Sequence, residues 1–326
     1  MELEKEKPRV ALLSVASNTV LVIFKVVVGM ATGSVSILSE AIHSGMDLMA
    51  AVIAFFAVRK SAKPADAEHP FGHAKVESIS AAAEALLIFA AAAWIISEAL
   101  SRFFVPRPVE LLGWGIGVML ASSVVNVVVS HMLFRVGRRT ESSALLADAW
   151  HLRTDVYTSA GVMLALAVIE VGERLVPAAN LHWIDPAVAI LVALFILRAA
   201  YQLTSGAVRD MLDTSFPADE QQWLNSYLTG LHPVVRSFHK VRTRKAGPAR
   251  FIDMHVVVDS EMSVEESHRI TEQITQEIQS RFKRTSVVVH VEPCDGSCGA
   301  ACASGCLLSE EAQRAARQKR QEASLL

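Results

Sequence analysis

SEAIHSGMDLMAAVIAFFAV (residues 39–58) is apolar for most of its length, yet it carries His43 and Asp47 four positions apart. DAWHLRTDVYTSAGVMLALAVI (148–169) repeats the pattern with His151 and Asp155. About twenty apolar residues are enough to cross the hydrocarbon core of a bilayer. In a helix, residues four apart stand on one face, one turn from each other. An ionisable side chain near mid-bilayer costs roughly 2.5–3.5 kcal/mol on insertion scales, so four of them in one chain need compensation. Two neutral imidazoles and two carboxylates make an N2O2 set suited to a zinc-like divalent ion, whose charge cancels that of both aspartates. The two stretches predict a metal site inside an α-helical membrane protein.

Working outward, six apolar segments qualify as candidate spans, at 10–30, 34–58, 78–101, 110–134, 145–171 and 184–205. Turns separate them at Ala31-Thr32-Gly33-Ser34, at 102–110 with Pro106 and Pro108, and at 173–180. The fifth is the least hydrophobic, because Asp148, His151, Arg153 and Asp155 crowd its start, and a hydropathy plot alone can miss it. Basic residues set the orientation: Lys5, Lys7 and Arg9, then Arg59, Lys60, Lys63 and Lys75, then Arg135, Arg138 and Arg139 all fall on one side. The opposite loops hold only Arg102, Arg107 and Arg174, so both termini are expected in the cytoplasm. The composition, 52% hydrophobic against 20% charged, leaves room for a membrane domain and one small soluble domain. A net charge of -2 argues against a nucleic-acid partner. The opening MELEKEKPRV runs into apolar sequence with no secretory cleavage site. Lys25, Asn18 and Asn126 within the spans read first as snorkelling or interhelical hydrogen-bonding residues.

After Tyr201 the pattern changes. Pro217–Gly230 reads as a helix, and 236–243 and 250–259 as strands split by Ala246-Gly247-Pro248. Ser263 and Glu266 form a capping box opening a helix to about Phe282, and 285–291 is a third, β-branched strand. The order α-β-β-α-β predicts a compact α+β domain, small enough to gain from dimerisation. His239, His255, His268 and His290 recur here, and Glu292 shares a strand face with His290. Singly each reads as a solvated residue; together with a carboxylate they point to metal binding.

Cys294, Cys298, Cys302 and Cys306 stand four apart in the tail. In a reducing cytosol they are free thiols that could wrap a Zn2+ or Cu+ ion. A helix would align them, whereas Gly296, Gly299 and Gly305 favour a flexible loop with incidental thiols. Residues 310–321 read as an exposed helix or as disordered chain.

On the motifs at 39–47 and 148–155, on His69-Pro70-Phe71-Gly72-His73-Ala74-Lys75 and on His290-Val291-Glu292-Pro293, the chain resembles the cation diffusion facilitator family over about residues 8–294. The bacterial zinc- and iron-effluxing branch is the nearest. The resemblance implies a six-helix transmembrane domain over 10–208, after a cytoplasmic segment 1–9. It implies a cytoplasmic, ferredoxin- or metallochaperone-like dimerisation and metal-sensing domain over 209–294, with 295–326 left as the cysteine tail. His43, Asp47, His151 and Asp155 look like the transport site. Asp66, His69 and His73 look like a second site in the loop between spans two and three; their three- and four-residue spacing allows it, and a solvated turn is the plainer alternative. His239, His255, His268, His290 and Glu292 look like a binuclear site at the dimer interface. Lys75 and Asp213 look like an ion pair interlocking the two domains. Members of that branch often carry Asp at the position of His43, and the His-Asp/His-Asp set shifts the expectation towards zinc and away from manganese. Glu292 stands where some relatives have Asp.

The expected function is efflux of a divalent cation, foremost Zn2+, in exchange for protons, by a homodimer in a bacterial inner membrane. Zn2+ is expected both as cargo and as regulatory ligand, with no organic cofactor. Metal competes with protons at His43 and His151 near the ordinary imidazole pKa of about 6.5. Export of Fe2+, Co2+, Cd2+ or Ni2+ is the nearest alternative, and a membrane metal sensor without transport is the alternative from another class. A membrane metalloenzyme would need an acid or base beside the metal, as in HExxH, and none accompanies these motifs.

Overall fold

The computed structural model describes residues 2–32, 35–104, 113–175, 183–296 and 298–323. The chain folds as two compact units, Met1–Met211 and Leu212–Leu326. The first holds six long helices: α1 (Glu2–Thr32), α2 (Val35–Ser61), α3 (Lys75–Phe104), α4 (Gly113–Thr140), α5 (Ser143–Leu175) and α6 (Ile184–Met211). The expected breaks at Gly33-Ser34 and Pro106 to Pro108, and much of the one ending at Asn180, lie outside the described residues.

Among the described residues, five of these helices are long and apolar enough to cross a membrane, and α5 is not. Its position explains why. It packs against α2, α3, α4 and α6, and Ala144, Leu145, Ala147, Ala149 and Leu152 along its first half are almost wholly buried. A helix enclosed by others presents little surface to lipid there and can carry polar groups inward. The other helices of the bundle expose large apolar side chains, such as Val20, Val27, Phe56 and Leu191, as a lipid-facing surface requires.

The second unit contains α7 (Ala218–Thr229), β1 (Ser237–Ala246), β2 (Ala249–Asp259), α8 (Val264–Arg281), β3 (Thr285–Cys294), α9 (Ala300–Ser304) and α10 (Glu310–Ala323). The sheet order is β1-β2-β3, with β1 and β2 antiparallel and β2 and β3 parallel. Gly247, at φ +55°, supplies the left-handed residue that a two-residue hairpin connection needs. The capping box at Ser263 and Glu266 starts α8, the crossover that parallel pairing demands. Alternation sends Ile252, Met254, Val256 and Val258 to one side, where they pack on Leu224, Leu228, Ile274 and Ile278. The opposite side is thereby left to Asp253 and His255.

One feature differs from the tail expectation. The described residues after 298 are folded, with two helices and an isolated bridge from Cys306 to Ser237 at the edge of β1. Two of the glycines that suggested a loose loop, Gly296 and Gly305, serve close backbone approach instead, while Gly299 stands in open space.

Candidate metal sites

In the membrane unit, α2 presents His43 and Asp47 one turn apart and α5 presents His151 and Asp155 in the same way. His151 Nε2 lies 3.1 Å from Asp47 Oδ1, while His43 Nε2 lies 3.9 Å from Asp47 and 3.8 Å from Asp155. Ligand atoms of His43, Asp47 and Asp155 all fall within 4.8 Å of one another. A cavity of about 560 Å3 opens beside them, lined among others by Asn18, Lys25, Trp94, Glu98 and Asn126. Lys25 is buried and donates to Ser44 Oγ at 2.7 Å, so it pairs within the bundle.

The other end of the bundle is closed. Glu77, fully buried near the start of α3, accepts hydrogen bonds from Lys7 Nζ at 2.7 Å, from Ser61 Oγ at 2.6 Å and from Ser142 Oγ. These groups come from α1, the end of α2 and the α4–α5 turn. The apolar cluster of Val10, Val58, Leu133, Val136, Leu145 and Leu152 occupies the same four helices. Glu77 precedes Ala91, the first cavity-lining residue of α3, by about 20 Å along the helix axis. Sequence reasoning passed over Glu77, because an acid in a helix's first turn reads as an ordinary dipole partner.

Between α2 and α3, Asp66, His69 and His73 converge within 4.8 Å. Asp66 accepts from the His69 backbone N–H at 2.8 Å and stands 3.3 Å from both His69 Nδ1 and His73 Nε2. The backbone hydrogen bond from His69 holds its carboxyl below the usual range. Gly72, at φ +83°, lets the short turn bring the two imidazoles to 4.5 Å between ring centres. His73 is buried with neither ring nitrogen hydrogen-bonded among the described residues. Its Nε2 nevertheless faces the Asp66 carboxylate at 3.3 Å.

In the second unit the strand register makes a ladder. His239 pairs with His255, and His255 with His290, so three imidazoles stand on one rung of three strands. Ring centres are 5.3 Å and 4.6 Å apart. Glu292 reaches back to this rung, 3.2 Å from His239 Nε2, 2.7 Å from His255 Nδ1 and 3.8 Å from His290 Nε2. The hydrogen bond with His255 holds the Glu292 carboxyl low, and burial lowers His239. Both shifts favour the ligand-competent forms, carboxylate and neutral imidazole. A bulge sets the rung: Lys240, at φ +50°, and Val241 together face Met254. His268 is not brought to this cluster; it is exposed on α8, 3.5 Å from Glu272. Asp213 pairs with Arg244 at 3.1 Å and Lys75 donates to the Met211 carbonyl, and the Lys75–Asp213 pair stays an expectation.

A bundle of membrane-length helices with inward ligands, followed by an α+β unit with its own histidine–carboxylate cluster, describes a multi-pass membrane cation transporter rather than an enzyme. Known proteins agree. Residues 11–212 match the cation efflux transmembrane domain and residues 217–294 the cytoplasmic domain of cation efflux proteins. The chain is 34% identical over 286 residues to the cation-efflux pump FieF of Cronobacter sakazakii, covering 88% of this chain and 92% of that one. It is 37% identical over 262 residues to an uncharacterized transporter of Synechocystis sp., covering 80% and 82%. The metal-bound C-terminal domain of the CzcD transporter from Thermotoga maritima is 32% identical, covering 24% of this chain and 94% of that one, with a TM-score of 0.22. The chain therefore belongs to the cation efflux family, the cation diffusion facilitators.

Proposed function

We propose that this protein exports a divalent cation, foremost Zn2+, in exchange for protons, and that His43, Asp47, His151 and Asp155 hold the ion in transit. The observation that carries this reading is the meeting of two i,i+4 pairs from different helices beside a cavity in a membrane bundle. Two nitrogens and two carboxylate oxygens suit tetrahedral Zn2+ better than octahedral, oxygen-preferring ions. Loading requires neutral His43 and His151, so protons compete with the ion and a proton gradient can drive its release.

The closed end with Glu77 and the cavity at the other end match one state of an alternating-access cycle. The lysine and arginine distribution supports a cytoplasmic Glu77 end, with both termini, and in this reading the cavity faces outward. The membrane is a bacterial inner membrane in this reading, as in the branch resembled. Asp66, His69 and His73 would then meet ions on the cytoplasmic side. The ladder of His239, His255, His290 and Glu292 would sense cytosolic metal. His268, set apart from the ladder within one chain, would join it from the second copy of a homodimer, where the sensing site becomes binuclear.

The test is flux into proteoliposomes. Zn2+ uptake should follow an imposed pH gradient and fall to background in Asp155→Ala, with Fe2+, Co2+, Cd2+ and Ni2+ competing less well. Flux unchanged in Asp155→Ala would sink the assigned transport site, and metal binding without any flux would favour a sensor.

A further inference from the structure

The efflux reading leaves the cysteine tail unused, and the match to the cytoplasmic domain ends at residue 294. The chain does not wander off there. Ser237 Oγ donates to the Cys302 carbonyl at 2.9 Å, the Leu307 N–H to the Arg236 carbonyl at 2.9 Å, and the Phe238 N–H to the Gly305 carbonyl at 3.3 Å. The tail thus lies along the free edge of β1, tied mainly through its backbone. Gly305 permits this approach: a Cβ there would sit 1.8 Å from the Phe238 carbonyl oxygen. On the return, α10 passes close to Gly296, whose Cβ would lie 2.4 Å from the Ala316 carbonyl oxygen, and Arg320 pairs with Asp295 at 3.4 Å.

This path gathers the thiols at one end of the sheet. Cys294 ends β3, on the strand face that also carries His290 and Glu292. Cys302 rides on α9, and Cys306 bridges to Ser237 on β1. All four cysteines are free and half-buried. Asp259, the β2 partner of Cys294, lies two residues from Val257, the β2 partner of Ser237, so Cys294 and the cysteines held at Ser237 lie at the same end of the sheet.

We propose that Cys294, Cys298, Cys302 and Cys306 form a thiolate site for a thiophilic closed-shell cation, Zn2+ or Cu+, distinct from the histidine ladder. Among the described residues, the clusters whose ligand atoms already converge within 4.8 Å are three histidine–carboxylate sets. The thiol set therefore closes on binding, by side-chain rotation and adjustment of the short α9. Each sulfur that coordinates releases its proton to solvent.

Cd2+ titration of the reduced full-length protein, followed by sulfur-to-cadmium ultraviolet absorption, tests this directly. Run in Glu292→Ala to silence the ladder, the thiolate band should saturate at one ion per chain. It should vanish in the variant with all four cysteines changed to Ser, whose fold is checked by circular dichroism. At least one of Zn2+ and Cu+ should displace Cd2+, and whichever does should also shield the thiols from alkylation. Gly305→Val keeps every thiol but removes the docking, and should weaken binding tenfold or more. No band, a band that survives loss of the cysteines, or equal affinity in Gly305→Val would overturn the proposal. So would alkylation unchanged by both ions. None of these readouts depends on transport.

Discussion

The membrane cluster and the strand ladder, two of the three histidine–carboxylate sets, use the same kinds of donor on different mounts. In the membrane unit the ligands come from α2 and α5, separate helices whose only fixed relation is side-chain packing. In the second unit they stand on adjacent strands, tied by backbone hydrogen bonds through His239, His255 and His290. Helices can rock against each other, whereas a sheet rung cannot change spacing without breaking its ladder. The same donors therefore suit passage in one place and retention in the other.

The largest expected effect breaks the first cluster alone. Asp47 is the carboxylate that touches both histidines. Asp47→Ala should lower Zn2+ flux at least a hundredfold while leaving metal binding by the strand ladder unchanged, as read by calorimetry on Asp47→Ala and on Asp47→Ala with Glu292→Ala. Loss of both together would mean that the clusters are not independent.

The second prediction concerns what holds the mobile mount shut. Glu77 is the single acceptor joining Lys7, Ser61 and Ser142, and Lys7 is itself buried. Removing one partner of a buried ion pair leaves an uncompensated charge and costs about 3–5 kcal/mol. Glu77→Ala should lower the thermal midpoint of the detergent-solubilised protein by several degrees. Lys7→Met with Glu77→Leu should recover part of that loss, because no charge is then stranded. A midpoint unmoved by Glu77→Ala would remove this cluster from the account of the closed end.

The membrane cluster was legible because helical spacing is short-range: His43 and Asp47 must share a face once the segment is helical. The ladder was legible only in part. Strand alternation aligned His290 with Glu292, but the rung also needs the bulge at Lys240 and Val241, a cross-strand count that no single strand reveals. His268 was grouped by residue type, although α8 carries it away from the rung. The closed end was hidden for the same reason, since Glu77 meets partners 70, 16 and 65 residues away. Gly296 and Gly305 carried the opposite of their usual meaning, because close backbone docking and looseness select the same residue.

The third prediction sharpens the retention side through pH. Burial lowers His239 from its usual 6.5, and the His255 hydrogen bond lowers Glu292 from its usual 4.5. For both groups the contribution to stability is present above the usual value and is lost as pH falls through the folded one. The metal-free second unit should therefore weaken on acidification, first below about pH 6.5 as unfolded His239 gains its proton, then further below about 4.5. Hydrogen exchange of β1–β3 in the intact protein should quicken over that range, and Glu292→Gln should flatten the lower part. Exchange that slows on acidification, after correction for the intrinsic rate, would contradict the sign.

The smallest effect separates the rung from its supports. Ser263 Oγ accepts from the Glu266 N–H at 3.2 Å, and the Glu266 carboxylate accepts from the Ser263 N–H at 3.0 Å. Loss of such a cap costs about 1 kcal/mol. Ser263→Ala should speed exchange in the first turn of α8 and leave the metal affinity of the ladder within twofold. The reason is geometric: α8 braces the core side of the sheet through Ile274 and Ile278, about three to four turns beyond the cap, while the ligands project from the other side. A larger fall in affinity would mean that the rung depends on the helix beneath it, and the rigidity assigned to the strand mount would then belong to the whole unit.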